Sequence, residues 1–177
     1  GQDLCGVDIS SSHPAIAATL YPRISKDSPE FEESEERGRY IEMVEAGEFY
    51  SHLRQISGSA LDLGDPDQKQ EFKTTVLKVV FFNSNHSELS PEEKELKEAF
   101  AAHFPILGRK LKSLRYKDYT YVSHQLMRDE ENLVIGQAAR MFAERVPDRC
   151  LVSVHDCLLS TAEHVAELQE LLESAYR

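Results

Sequence analysis

Tryptophan is absent, and aromatic residues make up only 8% of the 177-residue chain. Cysteine is scarce as well. Cys5, Cys150 and Cys157 are odd in number and show no CxxC or HxxxH spacing, which argues against a disulfide framework and a zinc centre and fits reduced thiols. With eight glycines and seven prolines, a collagen-like or low-complexity chain is excluded. No apolar run approaches the roughly 20 residues of a membrane-spanning helix, so no membrane partner is expected. The opening Gly1-Gln2-Asp3 is not followed by the basic, apolar and small-residue pattern of a signal peptide. A soluble cytoplasmic protein is the expectation.

Net positive charge is missing too. The formal charge is −11, which at first sight disfavours a phosphate-rich partner. The charge is uneven, however. Acid gathers in Asp27 to Glu48 and in the last helix, and base gathers in Arg109 to Lys117 (RKLKSLRYK). That basic stripe suits a nucleic-acid backbone and equally suits a solvated helix face. The chain does have 41% hydrophobic residues, enough for one compact domain or a domain cut from a larger protein.

Leu4 to Ile9 (LCGVDI) reads as a short buried strand. Ser11 or Ser12 starts a helix with Pro14 in its first turn, ended by Tyr21-Pro22. Arg23 to Glu36 reads as a polar loop with an exposed helical start. Two short helices follow, Arg39 to Glu45 and Glu48 to Ile56, punctuated by Gly47 and Gly58. Gly64-Asp65-Pro66-Asp67 opens a helix to about Phe82, and Ser90-Pro91-Glu92-Glu93 has the form of a capping box. Ile106 to Tyr116 is basic and amphipathic, and Thr120 to Arg145 is the longest helical pattern. Cys150 to Val154 and Cys157 to Leu159 read as strands around a His155-Asp156 turn, with Ser160 or Thr161 capping a final helix. There is no internal repeat. The order predicts an α+β fold, with the N-terminal strand and the C-terminal hairpin forming a small antiparallel sheet packed by several helices.

Three segments carry chemistry. Asp8 lies between Val7 and Ile9, where an unpaired charge near the core edge is costly. Asp156, at a hairpin tip beside Val154, meets the same problem. Carboxylates on adjacent strands can share divalent cations and offset that cost. The plainer alternative makes Asp8 a helix cap and Asp156 a turn residue. Lys69 and Lys73 stand four apart on one helical face, with Phe81 eight further on roughly aligned. This suits a triphosphate beneath a stacked base, or an ordinary exposed face with Phe81 turned inward.

Lys73 to Phe81 (KTTVLKVVF) resembles the finger-helix motif of single-subunit RNA polymerases and family A DNA polymerases. Val152 to Cys157 (VSVHDC) is similar to their second catalytic motif. Asp8 to Pro14 (DISSSHP) is similar to the first motif as it stands in phage- and mobile-element-type relatives. Leu126 to Ile135 (LMRDEENLVI) fits the helix leading into the hairpin. The resemblance implies a polymerase palm with partial fingers, the fingers-like insertion spanning about 25–117, within a single 1–177 domain that is a C-terminal fragment of a longer chain. It implies that Asp8, Asp156 and the carbonyl of Ile9 hold two Mg²⁺ ions, with Mn²⁺ as substitute. Lys73 would contact the phosphates and protonate pyrophosphate, Lys69 would hold the triphosphate, Phe81 would stack on the base, and His155 would sit by the primer terminus. His13 stands where DNA polymerases often carry a ribose-excluding glutamate. Lys69 replaces a usual arginine, losing bidentate phosphate contact. Phe82 replaces a frequent glycine, Cys157 an acidic residue, and Met127 a glutamine. Phe81, lacking a tyrosine hydroxyl, tilts the expectation toward deoxynucleotides.

The function expected is therefore template-directed nucleotidyl transfer by a DNA polymerase with two metals, acting on a primer–template and a nucleoside triphosphate, with replication proteins as further partners. Kept beside it are an inactive nucleic-acid or replication-partner binding module on the same fold, an RNA polymerase-like domain, and a generic α+β domain whose motif matches are chance.

Overall fold

The computed structural model describes residues 3–9, 11–21, 31–82, 89–147, 149–154 and 157–176, with the side chains of 31–34 and 117 left aside. The described chain is α+β, with helices and one three-stranded antiparallel sheet. It divides into two compact units, one made of 1–12 and 126–177, the other of 13–125. The insertion expected over about 25–117 lies inside the second of these ranges.

The sheet belongs to the first unit. Its strands are β1 (Leu4–Val7), β2 (Val152–Val154) and β3 (Cys157–Thr161), in the order β1-β3-β2. Val7 pairs with Leu158 and Leu4 with Thr161, while Val154 pairs with Cys157 and Val152 with Leu159. Side chains alternate between faces along each strand. Val7 and Leu158 therefore share the inner face, where they join Val134, Ala138 and Phe142, and Leu168, Leu171 and Leu172 of the last helix, in one buried cluster. The opposite face carries Leu4, Val152 and Val154, all exposed. Gly6 lies on this open face. A Cβ there would stand 3.0 Å from Cys157 Sγ and 3.0 Å from Leu159 Cδ2, so the β3 side chains lean across the bare backbone.

Thr161 makes no side-chain cap for the following 3₁₀ turn (Ala162–His164), and Ser160 lies within β3. The hydroxyl that was expected to cap instead donates to the Cys150 carbonyl at 2.8 Å, because the strand turns Ser160 inward.

The second unit is helical: α1 (Ser12–Ala17), α2 (Phe31–Glu45), α3 (Phe49–Ser57), α4 (Pro66–Val76), α5 (Pro91–His103), α6 (Pro105–Lys117) and the start of α7 (Tyr121–Glu131). The local signals act as expected. Asp65 accepts from the N–H groups of Asp67 and Gln68 at 2.9 and 3.1 Å, and Ser90 and Glu93 complete a capping box. Gly58 closes α3 at φ 66°. From α4 the helix continues through a π-helical stretch, Leu77–Phe81, that buries Val79, Val80 and Phe81 in succession.

The scarce aromatics are concentrated in this unit. Tyr40 meets Phe49 and Phe104 edge-on, with ring centroids 5.6 and 5.1 Å apart, and Phe81 lies 6.2 Å from both Phe49 and Phe100. Helix α2 begins at Phe31, inside the stretch read as a polar loop with a helical start, and runs to Glu45. Within it Glu36 is buried at 2% exposure between exposed Glu35 and Arg37. Its carboxylate accepts from the Tyr21 hydroxyl at 2.9 Å and from the Ile106 and Leu107 N–H groups at 3.0 Å each. Those amides open α6, whose preceding residue Phe104 supplies no side-chain cap. A glutamate from α2 thus caps α6, favourably placed at the positive end of the helix dipole.

Candidate functional site

In the first unit the chemistry starts from strand alternation. Val7 is buried and Ile9 packs against the same cluster, so both point inward. Asp8, between them, is exposed and belongs to the alternation of Leu4 and Gly6, that of the open face. This corrects the expectation of a carboxylate at the core edge: its apolar neighbours are buried, but Asp8 is turned away from them and bears little desolvation cost. Val7 pairs with Leu158, and Val154 with Cys157, so Asp8 leaves β1 at the end of the sheet where β2 stops and β3 begins. His155 and Asp156 lie outside the described residues.

Carboxylate and carbonyl oxygens are the hard donors that Mg²⁺ takes. Asp8 and the Ile9 carbonyl supply that chemistry. Among the described residues no group of three or more His, Cys, Asp or Glu could hold a metal ion.

In the second unit Lys69 is exposed and Lys73 half-buried on the same side of α4. The Lys73 ammonium sits 5.3 Å from the centre of the Tyr50 ring, and burial pushes the Tyr50 hydroxyl up to about 12. Phe81 corrects the sequence reading. Its side chain has 0% exposure and is enclosed by Phe49 and Phe100, so the stripe that begins at exposed Lys69 ends in the core. A ring so enclosed cannot stack on a base without unpacking the cluster, and the preference for deoxynucleotides drawn from it loses its basis. His13 is half-buried, its ring edge-on to Phe82 at 5.0 Å. His13 and Phe82, two positions at which this chain departs from the motifs it resembles, therefore touch each other.

Sequence reasoning missed two features. Glu36 was hidden in an acidic run, and only its spacing of four from Tyr40, also buried, marks an inward face. The exposed tyrosines Tyr116, Tyr119 and Tyr121 lie at and just beyond the end of the basic stripe and were given no role. Among the described residues no helix is long and apolar enough to cross a membrane. No protein-family model, curated protein or solved structure matches this chain.

Proposed function

We propose that this chain takes part in template-directed nucleotidyl transfer, as the palm and partial fingers of a family A-like DNA polymerase. One observation carries the reading. The alternation that buries Val7 and Ile9 turns Asp8 to the open face, at the sheet end where the chain passes through His155 and Asp156 between β2 and β3. In this reading the primer 3′ oxygen forms a bond to the α-phosphorus of a nucleoside triphosphate. The bond to the β-phosphate oxygen breaks, the hydroxyl proton passes to water, and pyrophosphate leaves. Lys69 and Lys73 hold the triphosphate, and Lys73 gives a proton to the departing pyrophosphate and regains one from solvent. The resemblance gives His155 the primer terminus and His13 the sugar. Asp8, Asp156 and the Ile9 carbonyl would hold two Mg²⁺ or Mn²⁺ ions, which would supply charge neutralisation for the transfer.

The test is extension of a labelled primer–template by the chain with Mg²⁺ and deoxynucleotides. Asp156→Asn and Asp8→Asn should each lower the rate at least about 100-fold, the loss of several kcal/mol of charge stabilisation. Circular dichroism should remain unchanged. Activity retained in either variant sinks the assignment. The enclosure of Phe81 favours a second reading, a polymerase-like binding module without catalysis. That reading expects no extension and no Mn²⁺ binding that depends on Asp8.

A further inference from the structure

Helix α6 buries Leu107 and Leu111 and exposes Arg109 and Lys112, with Tyr116 91% exposed. At 100° per residue, Arg109, Lys112 and Tyr116 form one stripe on the side opposite those leucines. Two more rings follow the helix: Tyr119 is 69% exposed and Tyr121 45%. Three exposed tyrosines within six residues contrast with Tyr21, Tyr40 and Tyr50, which are all buried. The turn that displays them is fixed. Asp118 accepts from the Thr120 N–H at 2.9 Å and the Thr120 hydroxyl at 2.8 Å, and its backbone carbonyl accepts from the Tyr121 N–H at 3.1 Å.

Between Pro105 and Tyr121 there are five cations and one acid, Asp118, in a chain whose formal charge is −11. Arg115 is committed inward, donating to the Val80 carbonyl. Lys97 of α5 is held below the usual lysine range by burial and then by the nearby Arg115 and Lys112 cations. Positive charge thus converges where α5 and α6 pack, which an anion would relieve.

We propose that the outer face of α6, with the turn that follows it, binds single-stranded nucleic acid. Arg109 and Lys112 take phosphates, while Tyr116, Tyr119 and Tyr121 stack on unpaired bases. Unpaired strands fit because tyrosine faces need bases free of a duplex stack, and Lys112 stands one helical turn from Tyr116. The platform uses neither Asp8 nor a metal, so it goes beyond the catalytic reading and stands or falls separately.

The test is fluorescence anisotropy of a fluorescein-labelled oligothymidylate with the full chain in EDTA. Binding is expected, with quenching of tyrosine emission, which no tryptophan obscures. Tyr116→Ala and Tyr119→Ala should each weaken it roughly tenfold, within the range for one lost base–aromatic stack. Arg109→Gln with Lys112→Gln should lower the log–log salt slope by about 1.4, two single-strand phosphate contacts. These side chains are exposed, and circular dichroism checks that the fold is kept. Absence of binding, equal binding by the tyrosine variants, or tighter binding of the matching duplex overturns the proposal. Equal binding of anionic vesicles or polyglutamate overturns it too. Because EDTA removes metal chemistry, failure here leaves the Asp8 reading untouched, and failure of primer extension leaves this one untouched.

Discussion

Glu36→Gln keeps the volume of a buried carboxylate and removes its charge. The native group accepts from Tyr21, Ile106 and Leu107. The amide has one acceptor oxygen, so its NH₂ must face a former donor. A buried donor left unsatisfied costs about 1–3 kcal/mol, and loss of an anion at a partly buried helix N-terminus costs up to about 2 kcal/mol. Against these stands the desolvation penalty of the carboxylate, which glutamine does not bear. The expected net loss is about 2–3 kcal/mol, a large share of a domain's typical 5–15 kcal/mol. Urea unfolding by circular dichroism gives the global value, and hydrogen exchange at the Ile106 and Leu107 amides locates it. Tyr21→Phe should cost about 1 kcal/mol alone, and the two substitutions should be non-additive because both act on the Glu36 Oε1 acceptor. If Glu36→Gln lies within about 0.5 kcal/mol of wild type, with unchanged exchange at those amides, the cross-helix cap does not hold α6.

Phe81→Ala should cost about 3–5 kcal/mol in urea unfolding, as for other enclosed phenylalanines; a fully stable variant with only weakened nucleotide binding would restore Phe81 to the substrate. His52 and His103 share one hydrogen bond at 2.9 Å, so one ring must be a neutral acceptor. Burial, then His52, holds the His103 pKa below the usual 6.5, so its contribution to stability is complete above the unfolded value and is lost as pH falls through the folded one. NMR titration should show the His103 pKa rising in His52→Ala, and no rise would refute the pairing. Above pH 10 the rise of the Tyr50 pKa to about 12 adds to the loss of stability that buried Tyr21 and Tyr40 also cause, and Tyr50→Phe should make that loss shallower. In a double-mutant cycle His13→Ala and Phe82→Ala should be non-additive by about 0.5–1.5 kcal/mol; simple additivity would mean that the ring contact is energetically empty.

What the sequence made legible is local. Asp65-Pro66 and Ser90-Pro91-Glu92-Glu93 start helices because a side chain within three residues satisfies the free amides, and such devices are written in consecutive letters. Gly58 marks a left-handed stop for the same reason. The sheet was legible through Cys150 to Val154 and Cys157 to Leu159, although β2 starts two residues later and β3 runs on to Thr161. Glu36 was not legible, because its partners are backbone amides 70 and 71 residues away. No pattern in an acidic run says which glutamate faces inward when the acceptor's donors belong to another helix. Phe81 fails for a related reason. Helical spacing from Lys69 and Lys73 gives its direction, but only Phe49 and Phe100 show that this direction leads into the core.

For the candidate site the same distinction separates what rests on strand geometry from what rests on a motif. Asp8 follows from alternation alone: two apolar neighbours packed on one cluster leave the residue between them to the other face. Met127, exposed, and Cys157, half-buried beside the backbone of Gly6, are departures that touch solvent or sheet. His13 and Phe82 are different, since each fills space against the other. A glycine in place of Phe82 would leave the His13 ring without its edge-on partner, and a glutamate in place of His13 would set a carboxylate against an aromatic ring. In this chain the two positions are coupled through one ring contact.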